Sequence, residues 1–301
     1  MRYIGFLGAM LAIFSAQAAD NIGVADLNSV INNVRNACIG IADEISDLKK
    51  MAGINTAVTA VGTGAAGVAL GAGIAKSKID AELKAQLSKL ALNEANNSKT
   101  ISDEELAAVF ANASSNTNKT NSNTDDEALK KSKTLGNIRT GGLATSTAAN
   151  IAGVVIAKNN KVDNDLKSKI DRCTASVKVL SVARMQARID GSATDADLAR
   201  AEKIVSACSE YDTIDVSPIN KRSTGVMISS GLGAGLGLAG TITSAQANKG
   251  IELDNKKNTM ANVLAGGTTA ASAVATVFNA TQISAIKRVA TVADNCMEAL
   301  Q

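Results

Sequence analysis

The four cysteines, Cys38, Cys173, Cys208 and Cys296, are the residues of this chain best suited to do chemistry. Thiols ligate metals, act as nucleophiles or pair as disulfides, and their company separates these roles. No CxxC pair occurs and the chain has no His. That excludes His-ligated metals, His general bases and every Ser-His or Cys-His nucleophile. Pairing remains, provided the compartment is oxidising. The amino terminus points to such a compartment. Arg2 precedes a short apolar run, Ile4 to Phe14, and Ala16-Gln17-Ala18 has the small-x-small form of a secretory cleavage site. The run falls short of the roughly 20 residues of a spanning helix. A removable signal over residues 1–18 is therefore expected. It implies export by the general secretory route to the periplasm, the cell envelope or the exterior.

The carboxylates offer less. Asp103-Glu104-Glu105, Asp125-Asp126-Glu127 and Asp195 with Asp197 have no basic or His partner at useful spacing. They read instead as first-turn residues that satisfy free N–H groups and the helix dipole. Gly62-Thr63-Gly64 and Gly231-Leu232-Gly233 lack the Gly-Lys-Ser/Thr of a phosphate loop. Asn118-Lys119-Thr120 would matter only in a glycosylating pathway. The chain has one Pro, no Trp, two Tyr and four Phe, two of which (Phe6 and Phe14) lie in the signal. Aromatic rings line ligand pockets and stack nucleobases, and the net charge is only +3. No catalytic residue, cofactor, metal or nucleic-acid partner is expected, and the chain is not read as an enzyme.

The cysteines must be positioned by long helices. Four charge-free stretches, 51–75, 140–157, 223–248 and 258–286, are built from Ala, Gly, Thr and Ser with scattered Val, Ile and Leu. Each is flanked by Lys or Arg on both sides. Glycines recur four residues apart at Gly67 and Gly71, Gly231 and Gly235, and Gly233 and Gly237. This spacing lets helix backbones approach closely, so these six are the expected helix-packing residues. Each Gly also costs about 1 kcal/mol relative to Ala in an isolated helix. Such helices should form only against a neighbour.

The stretches repeat in order. Thr56-Ala-Val aligns with Thr224-Gly-Val, and the match runs without gaps to Ile74 against Ile242. Asn137-Ile138 and Gly141-Gly142 correspond to Asn262-Val263 and Gly266-Gly267. Cysteines sit at similar distances outside each hairpin. The expected fold class is all-α, an elongated antiparallel bundle of two tandem Cys-bracketed, Gly/Ala-rich helical hairpins. Unit boundaries would be 19–190 and 191–301. The first unit carries an insertion at about 77–138, which holds an amphipathic helix from Ile79 to Leu92 with Leu83, Leu87 and Leu90 on one face. A second short helix begins at Ser102, and a polar linker runs from Asn112 to Thr124. The connection in the second unit is short, Lys249 to Lys257.

Helix ends are marked by Ser102-Asp-Glu-Glu105, Thr124-Asp-Asp-Glu127, Thr194-Asp-Ala-Asp197 and Ser217-Pro218, and Asp190-Gly191 marks a break. The turn at 190–191 lies midway between Cys173 and Cys208, and position 252 midway between Cys208 and Cys296. Antiparallel arms would then bring all four cysteines to one height. Two adjacent pairings satisfy this: Cys38–Cys173 with Cys208–Cys296, or Cys173–Cys208 with Cys38–Cys296. Duplication favours the first, because each hairpin closes on itself.

Two functions fit. The first is an exported, non-enzymatic helical protein with a structural or interaction role at the cell envelope, meeting a protein partner through the 77–138 insertion. The alternative is a membrane-inserting or pore-forming protein whose Gly-rich hairpins cross the bilayer. About 20 helical residues span about 30 Å of hydrocarbon, but Gly, Ser, Thr and Asn150 leave the hydropathy marginal. The basic flanks on both sides give no orientation. Self-association is left open.

Overall fold

The structure is a computed structural model that describes residues 26–97, 123–248 and 256–301. The expected signal (1–18), the helix at Ser102, most of the 112–124 linker and most of the 249–257 connection lie outside the described residues. The described chain is helical throughout, with no strand, as the Ala-rich composition and scarcity of Pro imply.

Helix α1 is Leu27–Cys38, started by the Asp26 carboxylate, which accepts from the Asn28 N–H. It stops at Gly40, whose φ of +84° favours glycine. Helix α2 then runs unbroken over Ile41–Asn97, and α3 covers Asn123–Asn159. Helix α4 is Asn164–Asp190, capped by Asp163 at one end and by left-handed Gly191 at the other. Helix α5 is Asp195–Cys208 and leads into a 3-10 turn at Ser209–Thr213. At the start of α5 the Thr194 hydroxyl accepts the Asp197 N–H and donates to the Asp197 carboxylate, so Thr194 caps the helix as expected. Helix α6 is Ser217–Ala247, and α7 is Lys256–Leu300. At the start of α6 the Ser217 N–H is taken by the Asp215 carboxylate, so Asp215 supplies the capping group expected of Ser217.

The separate amphipathic helix expected from Ile79 is instead the continuation of α2. No Gly or Pro occurs from Lys76 to Asn97, so nothing terminates the helix at the end of the charge-free stretch. Leu83 is buried on it. The first and last turns of the 77–138 insertion thus extend the bundle helices.

Packing divides the described chain into two compact units that are interleaved rather than consecutive. Unit one takes 26–49, 162–218 and 284–301, and unit two takes 50–97, 123–161, 219–248 and 256–283. This differs from the expected division at 190/191. The cysteine-bearing segments of both halves pack together in unit one, and nearly all of the charge-free residues pack together in unit two.

Unit one has an ordinary apolar centre. Helix α4 packs on α1 and α5, and Val30, Ile31, Val34, Leu166, Ile170, Val177, Leu180 and Ile204 are buried. Lys169 pairs with both Glu44 and Asp165 on the rim. These carboxylates hold its ammonium above the usual lysine range. Unit two has small apolar clusters, Ala69, Leu143 and Ala265 in one and Ala157, Val226 and Ala275 in another. Between them lie polar side chains.

Candidate functional site

All four cysteines fall in unit one and form one layer. Cys38 is bonded to Cys173 and Cys208 to Cys296, with Cα separations of 4.7 and 4.6 Å. This is the pairing in which each expected hairpin closes on itself. The sulfurs of Cys38, Cys173 and Cys296 lie within 4.8 Å of one another. Grouped thiolates at that distance could hold a metal, but sulfurs already joined in disulfides have no thiolate to offer. The layer is a clamp. In the chain-entropy model, closing loops of 135 and 88 residues is worth roughly 5 kcal/mol each.

The more unusual arrangement is the interior of unit two, where polar side chains from different helices meet in successive layers. Gln282 on α7 donates to the Asn160 and Ile219 carbonyls at 3.0 and 3.4 Å, and the Ser223 hydroxyl donates to the Ala157 carbonyl. Next, Asn55 donates to the Asn279 side-chain oxygen at 3.0 Å, and Asn279 donates to the Thr59 hydroxyl at 3.1 Å. Asn150 on α3 then donates to the Ser272 hydroxyl at 2.9 Å, while that hydroxyl lies 3.2 Å from the Asn150 oxygen. Further along, Arg139 donates to Ser244 at 2.8 Å and to Asn262 at 3.4 Å. The last layer is ionic. Lys76 and Asp80, both almost fully buried, meet at 2.6 Å. Ser132 at 2.5 Å and Asn258 at 2.8 Å donate to the same carboxylate. Three helices, α2, α3 and α7, thus satisfy one buried charge pair, which is the condition for burying it at all.

Glycines make the room for these layers, but not all of those expected. A Cβ on Gly233 would lie 2.8 Å from Asn150, and one on Gly237 would lie 2.5 Å from the Thr147 hydroxyl. Gly67, Gly71, Gly231 and Gly235 have nothing within 4 Å of that position. Among the described residues they meet no neighbour at that position. Helix geometry explains the split. Gly235 is two residues from both Gly233 and Gly237, a rotation of about 200° to the other side of the helix. On α2 the inward glycines are Gly62, against Ala149, and Gly73, which abuts Asn262. Gly142 on α3 is tightest against backbone, since its Cβ would lie 2.7 Å from the Ala65 carbonyl oxygen. The i,i+4 spacing singled out some of the correct residues, but it carries no information about which face meets a neighbour.

The outer surface of unit two is the counterpart of its interior. Ile54, Val61, Val68 and Ile74 on α2 are exposed, as are Ile151 and Val155 on α3. Ile228, Leu232, Leu238 and Ile242 on α6 and Val263, Val274 and Val277 on α7 are exposed too. Charged side chains on this surface lie outside the charge-free stretches, and within those stretches several threonines close on their own helix. Thr224, Thr243 and Thr281 donate to the carbonyls of Asn220, Ala239 and Val277, four residues earlier. A shallow open depression on α7, lined by Lys256, Thr259, Met260, Val263 and Leu264, comes from one helix only and encloses nothing.

Three features therefore stand out: a double-disulfide layer, a polar hydrogen-bonded interior and an apolar exterior on the same four helices. No protein-family model, no curated protein and no solved structure matches this chain.

Proposed function

We propose that this chain is a membrane-inserting protein of the cell envelope, with unit two as the inserted bundle and unit one as a disulfide-clamped helical unit. The carrying observation is the sorting of neighbouring residues in unit two. Asn55, Asn150 and Asn279 are buried, whereas the residues beside them, Ile54, Ile151 and Phe278, are exposed. In water that arrangement is inverted, because it leaves large apolar side chains wet and buries amides at a desolvation cost. In hydrocarbon it is favourable on both counts.

Other observations agree. Four helical segments among the described residues are long and apolar enough to cross a membrane, and no more than 33% of the most apolar window of each is buried. Threonines that donate to their own helix carry no unmet donor into lipid. Inter-helix amide and hydroxyl bonds supply the association that lipid tails, as apolar as Leu, cannot drive. The interior is filled by its own side chains, so the reading is anchored insertion with a structural or interaction role and no reaction. The secretory-type amino terminus and the paired cysteines support export.

The test is direct. The processed protein should need detergent for extraction, resist alkaline carbonate and float with phosphatidylcholine vesicles. A detergent-free monomer that ignores vesicles would overturn the proposal in favour of a soluble envelope bundle.

A further inference from the structure

We infer that one end of unit two carries a basic collar that selects anionic lipid headgroups, an inference that rests on the membrane reading above. The residues are Lys158 and Lys161 at the end of α3 and Lys221 and Arg222 at the start of α6. The fold brings these two segments together. Ser223 donates to the Ala157 carbonyl, and Gln282 bridges the carbonyls of Asn160 and Ile219. Lys158 and Lys221 are exposed, and Lys161 and Arg222 are half-buried. Arg222 is held in place by donating one guanidinium N–H to the Thr281 carbonyl at 2.8 Å, which leaves the rest of its fork to meet an anion.

Two observations make this a lipid-facing site rather than a scatter of surface lysines. The first is charge. Residues 140–161, 219–248 and 258–283 contain no Asp or Glu, so nothing within those segments neutralises the four cations. The carboxylates next along the chain are committed elsewhere: Asp163 to the Leu166 N–H, Asp165 to Lys169, and Asp215 to Ser217. The helix-end carbonyls that basic side chains often cap are taken instead by Ser223 and Gln282. The second observation is the adjoining surface. Val155 and Ile151 precede Lys158 by about one and two turns and are exposed, and Ile228 and Leu232, also exposed, follow Lys221 by about two and three turns on the same face. Cations at the rim of an apolar face match the headgroup level of a bilayer, where acidic phosphates sit. The collar lacks the stacking aromatics that single-stranded nucleic acids require.

At the other end of unit two Lys78, Lys133, Lys256 and Lys257 are exposed, but two flanking cations are not. Lys76 and Arg139, which flank the other end of the first two stretches, are turned inward and almost fully buried. They are spent on Asp80 and on Ser244 and Asn262.

The experiment uses the full processed chain and flotation with two vesicle types at low salt, phosphatidylcholine alone and phosphatidylcholine with about a third phosphatidylglycerol. The wild type should enter both and favour the anionic vesicles by about tenfold or more, given the attraction of each cation near an anionic surface. Salt should erase that preference. The variant K158Q/K161Q/K221Q/R222Q should lose the preference and keep its partition into phosphatidylcholine. The charge-preserving variant K158R/K161R/K221R should retain the preference. Equal partition of the wild type into both vesicles would overturn the collar and leave the membrane reading standing, as would a quadruple variant that keeps the preference. Tight binding of duplex DNA by the detergent-solubilised wild type, without any lipid preference, would also overturn it. A wild type that enters neither vesicle would overturn both.

Discussion

In helix α1 of unit one, Val30 and Ile31 are buried and their neighbours Asn32 and Asn33 are exposed; in unit two, Asn55 and Asn150 are buried while Ile54 and Ile151 are exposed. The residue types are shared, the backbone is helical in both, and the sorting is opposite. Unit one follows the rule for a bundle in water, with an apolar centre and ion pairs such as Lys178–Asp212 and Arg184–Glu202 on the rim. It departs from that rule along one row of α4, where Val179, Val182, Met185 and Ile189 are exposed. Unit two places hydrogen bonds inside and aliphatic groups outside on all four of its helices. The difference teaches that helix-forming composition alone does not determine a helix's solvent. Solvent is read from which of two adjacent residues faces the neighbour.

The strongest way to break this contrast is to unbalance the ionic layer of unit two. Asp80→Ala leaves Lys76 buried without its carboxylate and should cost about 3–5 kcal/mol. Thermal unfolding of the detergent-solubilised protein would measure it. The double variant Lys76→Met/Asp80→Leu should recover most of that loss, because it removes both charges. A double variant as damaged as Asp80→Ala would show that packing, not charge, dominates there.

Unit one should instead depend on its clamp. Cys38→Ser/Cys173→Ser should destabilise it by about 2–5 kcal/mol while leaving the protease resistance of unit two in detergent little changed. Parallel loss of both units in limited proteolysis would erase the distinction between them.

A third comparison lies within one helix. Gly233→Leu drives a side chain into Asn150 and should cost about 1–3 kcal/mol or more. Gly235→Leu, whose side chain would point into open space, should be nearly silent. Equal damage by both would mean that the outward glycines of α6 also meet a partner.

The smallest effect concerns Tyr211, buried in unit one with no hydrogen-bond partner for its hydroxyl among the described residues. Burial, and then the charge of Asp294, raises its pKa well above the usual tyrosine value. The unfolded chain releases this proton near pH 10 while the folded one still holds it. Stability from this group is therefore present below about pH 10 and falls as pH rises further. Tyr211→Phe should flatten that alkaline decline and be neutral or slightly stabilising at pH 7. An unchanged alkaline limb in urea unfolding would assign the decline to another group.

Local chemistry was legible in the residues and long-range facing was not. The Asp190-Gly191 break and the Thr194 cap follow from short-range rules, since a left-handed C-cap and a side-chain N-cap need only neighbours in sequence. The cysteine layer followed from counting along antiparallel arms. The packing faces were obscured because Ala, Gly, Ser and Thr surround these helices on every side, so no apolar stripe marks the interior. Gly67 and Gly71 carried the familiar spacing while Gly62 and Gly73 did the packing. Asn150, which weakened the hydropathy of its stretch, turns out to be the hub of an interior layer. Its role depends on Ser272, 122 residues away, and no local pattern reveals that pairing.

The two disulfides also change what a protease can release. Any single cut between Cys38 and Cys173, or between Cys208 and Cys296, leaves the resulting pieces tied by the bridge that spans the cut. Between the bridges the two closed loops are joined only through the backbone from Cys173 to Cys208. A molecule nicked inside either loop would therefore persist as one covalent object, and its damage would become visible on a gel only after reduction.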